Sequence, residues 1–471
     1  MKKLVIAFCL ILPMSLTAQK YNDNNLPYDK KLAAKYGLEI PEPSDQLKPA
    51  PEWLQNTDMI FADWTVTADM LNTPFKLWKG YRVELKDTLI ERIVRLQPLY
   101  GRVKVNEQKP VTIEGNFDGS DIKGVELISH VPHSKAGFKQ AHKQGFKVIP
   151  YVHFKDIHSY YADQEVFLFQ HPEILLKDDK GKWVHLPMDG TDRMYRYLVC
   201  ANSPSYWKLS LSYVKKLMDW GADGVFIDNV GNRDPCFAPE FTNLNPEFDP
   251  YVHEHLFPDA THNYAFDRFL QAIRSLVKSY GDDKVIILNS GIGSELQKNG
   301  DCCMLESFIY SWAWEGRNQN QNWTNLKERI KKYESFKNAG RLTTALSYLD
   351  PSRKEVKDDA YWAFSAARLL EVIWWSNLEN TGAELLYQAH MGKSLQPLQE
   401  TDQIAYRAFE NGIIVLNDGL ENKTFTINLP SEFHHKQLID LYDGKRQIEV
   451  INEGIKITVP MQGARIYLVI D

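Results

Sequence analysis

The sequence predicts an α/β protein, a (β/α)8 TIM barrel followed by an all-β sandwich. Over residues 51–392, eight short apolar runs alternate with longer amphipathic segments, the pattern of a parallel sheet closed into a barrel. No glycine-rich phosphate loop follows the first run, which argues against an open doubly wound sheet. Over residues 398–471 the pattern changes to short alternating runs separated by turn dipeptides such as Asn411-Gly412, which predicts the β-sandwich.

The N-terminal residues predict export. Lys2 and Lys3 precede an apolar run, and small or polar residues then lead to Ala18, so residues 1–18 have the pattern of a signal peptide. Residues 19–50 are rich in proline and charge, which predicts an irregular arm. No later apolar run is long enough to span a bilayer. The mature protein is therefore expected to be secreted or periplasmic, with no membrane span.

The charge balance argues against a nucleic-acid partner. The chain has 55 Lys and Arg against 61 Asp and Glu, a net charge of -6, and its basic residues form no stripe. Aromatic residues make up 12% of the sequence and supply flat faces for cores, interfaces or stacking against ligands. The sequence does not indicate an oligomeric state.

The first half of the predicted barrel ends at a carboxylate. Ser203 is a natural helix cap and Pro204 a natural first helical residue, so a helix is predicted up to Trp220. Gly221 ends this helix, and an apolar strand follows that stops at Asp228. The three strands predicted before it are Met59–Trp64, Val125–Ser129 and Lys147–His153.

The second half continues the alternation. Helices are predicted over Asn263–Tyr280, 324–337 and Asp358–Trp375. The strands predicted between and after them are Lys284–Asn289, Cys303–Glu306, Arg341–Tyr348 and Ala383–Tyr387.

Two carboxylates end predicted barrel strands, Asp228 the fourth and Glu306 the sixth. The C-terminal ends of barrel strands carry the chemistry of such folds, and a carboxylate at the end of an apolar strand costs free energy unless it is paired, hydrogen-bonded or functional. A cap for the following loop is the structural alternative for Asp228. Asp223 precedes the same strand and should lie at the opposite, stabilising end of the barrel, so we do not expect it to be catalytic.

The sequence around Asp228 resembles the retaining α-glycosidase barrels of the melibiase, α-amylase and dextranase kind. The resemblance is carried by the run Gly221-Ala222-Asp223-Gly224-Val225-Phe226-Ile227-Asp228-Asn229, by Cys200-Ala201-Asn202-Ser203-Pro204 before it, and by Asn289-Ser290-Gly291 and Glu306 after it. Dextranase-like enzymes pair Asp with Glu, whereas melibiases use two Asp, so Glu306 favours the former. The tail that contains Tyr406-Arg407-Ala408-Phe409-Glu410-Asn411-Gly412 also looks like the small C-terminal domain of that superfamily.

The resemblance implies a glycoside hydrolase with a carbohydrate substrate. Asp228 would be the nucleophile and Glu306 the acid and base of a two-carboxylate retaining reaction on α-linked sugars. The alternatives are a barrel that binds glycans without cutting them and a metal-dependent hydrolase. Polar and aromatic residues near the strand ends would bind sugar hydroxyls and rings: Asp63, Trp64, Tyr151, His153, Asn202, Asn229, Asn289, Trp312 and Tyr348.

No cofactor or metal is expected. His253 and His255 together suggest a metal site. The pair lies, however, in the loop after the fourth strand, and the sequence shows no obvious further ligands for it. Cys200, Cys236, Cys302 and Cys303 show no zinc-binding spacing and are expected to be small buried residues, although export permits a disulfide.

Overall fold

The fold was obtained as a computed structural model, which describes most of the chain from residue 26 onward. The predicted signal peptide, Asp63, Trp64 and Trp312 lie outside the described residues, as does the segment Leu85–Leu96, whose spacing of apolar residues predicts a helix. The described ranges are 26–43, 48–62, 127–129, 135–143, 145–158, 171–187, 195–241, 252–290, 294–309, 322–376, 378, 381–401, 403–442, 447–450 and 454–470.

Parallel strands form the central barrel, and each pairs with its neighbours in chain order. The first strand also pairs with the last, with Ile60 opposite Trp375. The eight barrel strands are Met59–Ala62, Leu127–Ser129, a third strand made of Lys147–Ile149 and Tyr151–His153, Gly224–Val230, Val285–Ser290, Cys302–Leu305, Leu342–Leu346 and Ile373–Ser376.

The third strand closes the barrel although Pro150 interrupts it. Its first half pairs with the second strand and its second half with the fourth. The amide of Asp223 donates to the carbonyl of Val148 at 2.8 Å, and the amide of Phe226 donates to the carbonyl of Pro150 at 3.0 Å. A proline has no N–H but its carbonyl still accepts, so the ladder continues across the break. The predicted α/β barrel is therefore confirmed.

Helices cover the outside of the barrel. Ser203 caps the helix before the fourth strand by accepting from the amide of Tyr206, with Pro204 as its first residue, as predicted. Gly224 then starts the strand where only glycine fits, because a Cβ there would lie 2.0 Å from the carbonyl oxygen of Val285. The α-helices are Lys30–Tyr36, Glu52–Gln55, Lys135–Lys143, Pro204–Asp219, His262–Lys278, Trp323–Lys331, Glu334–Asn338 and Val356–Leu369. None of the helices within the described ranges is long and apolar enough to cross a bilayer.

Alternate residues of each barrel strand belong to two different cores. In the fourth strand, Val225 and Ile227 pack with the helices, whereas Phe226 packs inside the barrel. In the sixth strand, Cys302 and Met304 face the inside. Side chains two residues apart on a strand share a face, so this pattern fixes which later residues point into the barrel mouth.

The C-terminal strands form two antiparallel sheets that pack face to face. A six-stranded sheet lies against the two-stranded sheet of Lys423–Asn428 and Gly454–Val459, and a buried apolar cluster fills the space between them. The opposite face contacts the last barrel helix, where the Tyr361 hydroxyl donates to the carbonyl of Leu441 at 2.6 Å. The strands of the larger sheet are Gln399–Thr401, Ile404–Phe409, Gly412–Asn417, Gln437–Asp440, Gln447–Glu449 and Gly463–Ile470.

Several sequence predictions of local structure were wrong. The eighth strand is Ile373–Ser376, and the predicted strand Ala383–Tyr387 lies instead in a short 3-10 helix. The preceding helix stops at Leu369 because Glu371 adopts a left-handed conformation, with φ 56°, without a glycine to mark it. In the predicted irregular arm, residues 30–36 are helical, capped by Asp29 and ended by Gly37.

Buried carboxylates anchor the N-terminal ends of the fourth and sixth strands. Asp223 accepts from the amide of Val148 at 3.0 Å and lies 2.8 Å from His142 Nε2 and 3.3 Å from Lys284 Nζ. Asp301 likewise accepts from the amide of Ile286 at 2.9 Å and pairs with Arg274, Lys278 and Arg341. Asp223 therefore lies at the stabilising end of the barrel, as predicted.

We expect Asp223→Asn to destabilise the protein in a pH-dependent way. Burial alone raises the pKa of Asp223. The hydrogen bonds from the Val148 amide and His142 and the charges of two nearby lysines together lower it by more than burial raises it, so the net shift is downward. A lowered pKa contributes stability above the unfolded value of about 3.9, and this contribution is lost as the pH falls through the folded value. Urea denaturation at pH 7 should show a loss of about 1–3 kcal/mol.

The difference between wild type and Asp223→Asn should shrink toward zero as the pH falls below about 4. The matched control is Asp282→Asn, which removes an exposed carboxylate paired with Lys48 and should change stability little. An equal loss at pH 3 and pH 7 would contradict the electrostatic explanation.

Candidate active site

Asp228 and Glu306 share the mouth of the barrel. Asp228 follows Phe226 by two residues, and Glu306 follows Met304 by two, so both point to the side of the barrel core. Both carboxylates are half-buried, above the apolar interior and open to the rim. The two strands that carry them are separated by the fifth strand alone.

Asn289, near the end of the fifth strand, joins the two carboxylates. Its side-chain amide nitrogen donates to Asp228 Oδ1 at 2.7 Å and to Glu306 Oε2 at 2.9 Å. An amide group has two hydrogens, so one Asn serves both acceptors at once. The predicted sugar-binding residue is therefore a bridge that fixes the spacing of the pair.

Neutral donors satisfy the remaining carboxylate oxygens. The Tyr151 hydroxyl donates to Asp228 Oδ2 at 2.7 Å, and the Tyr348 hydroxyl donates to Glu306 Oε1 at 2.7 Å. Burial, followed by the charge of Glu306, raises the pKa of Tyr348 far above its ordinary value, so its phenol stays protonated and donates. Within the described ranges no Lys, Arg or His forms an ion pair with either carboxylate.

A β-bulge aims Asp228 into the site. Ile227 lies opposite Leu288 and Val230 opposite Ser290, so two residues of the fourth strand, Asp228 and Asn229, face one residue of the fifth. Asn229 adopts φ 56°, and its amide donates to Asp228 Oδ1 at 2.7 Å. Bulges of this kind redirect a side chain and are frequent beside active sites.

A left-handed residue also follows Glu306. Ser307 has φ 55°, a conformation that costs an L-residue about 1–2 kcal/mol relative to its ordinary backbone. Both candidate carboxylates are thus followed directly by a strained position. Such outliers collect at functional sites, where the surrounding structure compensates their cost.

Two arginines that sequence analysis did not single out hold the backbone at these positions. Arg233 Nη1 donates to the carbonyl of Asn229 at 3.4 Å, and Arg329 Nη2 donates to the carbonyl of Glu306 at 3.5 Å. Burial lowers the pKa of both, that of Arg233 to about 10. Neither arginine forms a recognisable sequence motif with the residue whose carbonyl it contacts, so these two contacts could not be predicted from the sequence.

Aromatic rings form the floor beneath the carboxylates. Phe226 and Trp375 meet edge to face at 4.6 Å between ring centroids, and Tyr151 lies 5.6 Å from Phe226. His153 stands opposite Asp228 in the strand register and lies 3.5 Å from Asp156. Tyr151, His153 and Tyr348 therefore lie around the mouth where the sequence predicts them.

Asn202 does not lie there as a free polar group, which corrects the prediction that it binds a sugar. It is fully buried, and its side chain donates to the carbonyl of Phe257 and accepts from the amide of the same residue, both at 2.9 Å. These two hydrogen bonds join the segment around Asn202 to the loop that contains Phe257. The predicted sites Asp63, Trp64 and Trp312 are outside the described residues.

His253 and His255 meet two thiols. Cys200 and Cys236 approach the histidine pair so that one ligand atom from each of the four residues lies within 4.8 Å of every other. The sequence analysis found no further ligands for the histidines, because Cys200 is 55 residues away from His255. Only the folded chain brings the four together.

Replacing Ser307 should reveal the strain after Glu306. Glycine adopts positive φ freely, whereas a β-branched residue does not, so Ser307→Val should be about 1–2 kcal/mol less stable than Ser307→Gly. Urea denaturation of the two variants measures the difference directly. Equal stabilities would show that the backbone at residue 307 is not left-handed in solution.

No protein-family model and no curated protein sequence matches the chain. Several solved structures are similar to it at low identity. An α-amylase from Anoxybacillus is 12% identical with TM-score 0.45, covering 88% of this chain and 98% of its own. A debranching enzyme from Nostoc punctiforme is 11% identical with TM-score 0.43, covering 89% and 99%. A GH27 β-L-arabinopyranosidase from Geobacillus stearothermophilus is 11% identical with TM-score 0.40, covering 72% and 77%.

Proposed function

We propose that the protein is an exported glycoside hydrolase that cleaves α-linked glycosidic bonds with retention of configuration. The observation that carries the proposal is the bridge from Asn289 to Asp228 and Glu306 at the mouth of the barrel. The N-terminal signal-peptide pattern supports export. The resemblance of the sequence to retaining α-glycosidases supports the linkage.

The bridge limits the distance between the two carboxylates. The amide nitrogen lies 2.7 Å from Asp228 Oδ1 and 2.9 Å from Glu306 Oε2, so these oxygens are no farther apart than the two distances combined. Retaining pairs are about 5–5.5 Å apart, whereas inverting pairs need about 6.5–9.5 Å to admit a water. The geometry favours direct attack by a carboxylate.

In the first step Asp228 attacks the anomeric carbon while the bond to the leaving oxygen breaks and Glu306 donates its proton to that oxygen. The product is a sugar bonded to Asp228 and an ionised Glu306. In the second step Glu306 takes a proton from water, the water oxygen bonds to the anomeric carbon, and Asp228 is released as a carboxylate. Both groups return to their starting states.

The neighbours of each carboxylate suit these roles. Asn289 and Tyr348 each donate to one oxygen of Glu306, so the carboxyl group is held in one orientation toward the site of the leaving oxygen. Asp228 accepts hydrogen bonds at both oxygens, which orients it for attack and stabilises its charge when it leaves. The buried aromatic pair of Phe226 and Trp375 supports the carboxylates from below.

Replacing either carboxylate by its amide should abolish turnover and preserve the fold. We expect Asp228→Asn and Glu306→Gln each to lower kcat/KM by at least about 10³-fold on an α-linked oligosaccharide identified by screening. The matched controls are Asp219→Asn, at the end of the helix before the fourth strand, and Glu421→Gln, in the C-terminal domain; both are exposed and should retain wild-type rates.

The anomer of the first product, followed by NMR, tests the stereochemistry. Retention is expected, and an inverted product would overturn the assignment of Asp228 as nucleophile. Binding of oligosaccharides without hydrolysis, unchanged in both amide variants, would instead identify a glycan-binding barrel. Loss of turnover with chelator at a temperature where the chain stays folded would point to a metal-dependent hydrolase.

Tyr348→Phe should lower kcat/KM without abolishing activity. It removes one hydrogen bond to Glu306, and a bond to a charged group contributes about 1.5–3 kcal/mol, so the expected loss is about 10- to 100-fold. Tyr213→Phe, on an exposed part of a barrel helix, is the control. A Tyr348→Phe enzyme with wild-type kcat/KM would show that the hydroxyl does not position Glu306 for the reaction.

A further inference from the structure

The cluster of Cys200, Cys236, His253 and His255, here called the Cys/His cluster, is separate from the carboxylate pair. Cys200 follows the strand Tyr195–Leu198, and the other three lie in the loop between the fourth barrel strand and the helix His262–Lys278. Three of the four side chains are buried and His255 is half-buried. No step of the proposed reaction uses them.

The distances in the cluster match those around a tetrahedral metal. Cys200 Sγ lies 3.5 Å from His255 Nε2, and Cys236 Sγ lies 3.6 Å from His253 Nε2. Zinc binds sulfur at about 2.3 Å and imidazole nitrogen at about 2.0–2.1 Å, so a tetrahedral site separates sulfur from nitrogen by about 3.6 Å. The observed pairs have this separation before any metal is placed between them.

Backbone amides surround the sulfurs as they do in thiolate sites. The amide of Asn202 donates to Cys200 Sγ at 3.4 Å, and the amide of Lys177 donates to Cys236 Sγ at 3.5 Å. Such hydrogen bonds stabilise a sulfur that carries negative charge and orient it toward a metal. They come from two different loops, so each sulfur is held in place from outside the cluster.

The neighbouring His262 is held apart from the four. Its Nε2 accepts from the amide of Cys236 at 3.2 Å, and its ring lies edge to face against His255 at 5.0 Å between centroids. It therefore packs beside the cluster and supports His255 and the Cys236 backbone. The ligand set remains two thiols and two imidazoles.

From this geometry we propose that the Cys/His cluster binds one structural Zn²⁺. Thiolate with imidazole selects zinc over magnesium or calcium, which prefer oxygen. Four protein ligands complete the tetrahedron and leave no position for a substrate or a reactive water, so the site is structural. The metal ties the loop that starts after Asp228 to the segment around Cys200, and the proposal does not depend on the roles of Asp228 and Glu306.

A disulfide between Cys200 and Cys236 is the competing state, because export exposes thiols to oxidation. Both cysteines are free thiols in the structure. A disulfide would remove both sulfur ligands, so the two states exclude each other. Counting metal and free thiols in the same sample distinguishes them.

The first experiment measures zinc and free thiols in the purified mature protein, prepared without chelator from zinc-supplemented cells. We expect about one zinc per chain by elemental analysis and four free thiols after denaturation with chelator. A chelator applied to the native protein should release the zinc and lower Tm, and added Zn²⁺ should restore it. Co²⁺ in place of zinc should give the visible absorption of a tetrahedral thiolate site.

Single variants then assign the ligands. Cys236→Ser and His253→Ala should each reduce bound zinc to a small fraction of the wild-type content and lower Tm. Cys302→Ala removes a buried cysteine of the sixth strand, outside the cluster, and should keep the full zinc content. Where a ligand variant fails to fold, the wild-type zinc and thiol counts still decide the question.

Wild-type protein that contains no zinc, and binds neither Zn²⁺ nor Co²⁺ after reduction, would overturn the proposal. So would two missing thiols mapped by mass spectrometry to a Cys200–Cys236 disulfide. A Cys302→Ala protein that loses its zinc while Cys236→Ser keeps it would also contradict the site. Loss of sugar hydrolysis in Asp228→Asn with unchanged zinc content would leave this inference intact.

Discussion

The parallel register of the fourth, fifth and sixth strands is the constraint on which the site depends. Closure of the barrel across Pro150 fixes the fourth strand against the third, and the ladders to the fifth and sixth strands follow from it. Because all three strands run in the same direction, their last inward residues meet at one rim. Those residues are Asp228, Asn289 and Glu306, so the amide of the middle strand necessarily lies between the two carboxylates.

The fourth and sixth strands each have a carboxylate at both ends. The partners of the carboxylates at the N-terminal ends differ in charge from the partners at the C-terminal ends. At the N-terminal ends, Asp223 faces two lysines and Asp301 faces two arginines and a lysine. At the C-terminal ends, the described partners are tyrosine and asparagine. The carboxylates at the N-terminal ends are held by ion pairs, whereas those at the mouth are held by hydrogen bonds from neutral donors. The two ends of these strands therefore differ both in position and in the kind of partner that holds each carboxylate.

Much of this arrangement follows from sequence because it rests on local rules. Alternating apolar runs and the Ser203-Pro204 cap predicted seven barrel strands in their correct places, although the fourth strand runs two residues past Asp228 and the sixth ends one residue before Glu306. The eighth strand was missed because Glu371 ends its helix in a left-handed conformation that sequence normally signals with glycine. Asn202 was misjudged because nothing near it in sequence reveals that Phe257 occupies its side chain.

The bridge and the Cys/His cluster escape sequence analysis for one physical reason. Each is made of residues from different strands or loops, and its geometry exists only after closure of the barrel. Asn289 is 61 residues from Asp228, and Cys200 is 55 from His255, with no fixed spacing that chemistry requires. A short-range motif can be recognised in a sequence because the local backbone sets its geometry. The distances within the bridge and within the Cys/His cluster are set by tertiary packing instead.

The segment that follows Asp228 connects the carboxylate pair to the Cys/His cluster. After the bulge at Asp228, Arg233 holds the carbonyl of Asn229, while its own amide donates to Asn263 at 2.6 Å and its guanidinium lies over Phe266. Cys236 follows only three residues later and is fastened to the segment of Lys177. A long loop costs conformational entropy on closure, and each tie confines that cost to a shorter segment. A metal at Cys236 and the histidine pair would anchor the far side of this loop, so that the left-handed backbone at Asn229 is held from both directions.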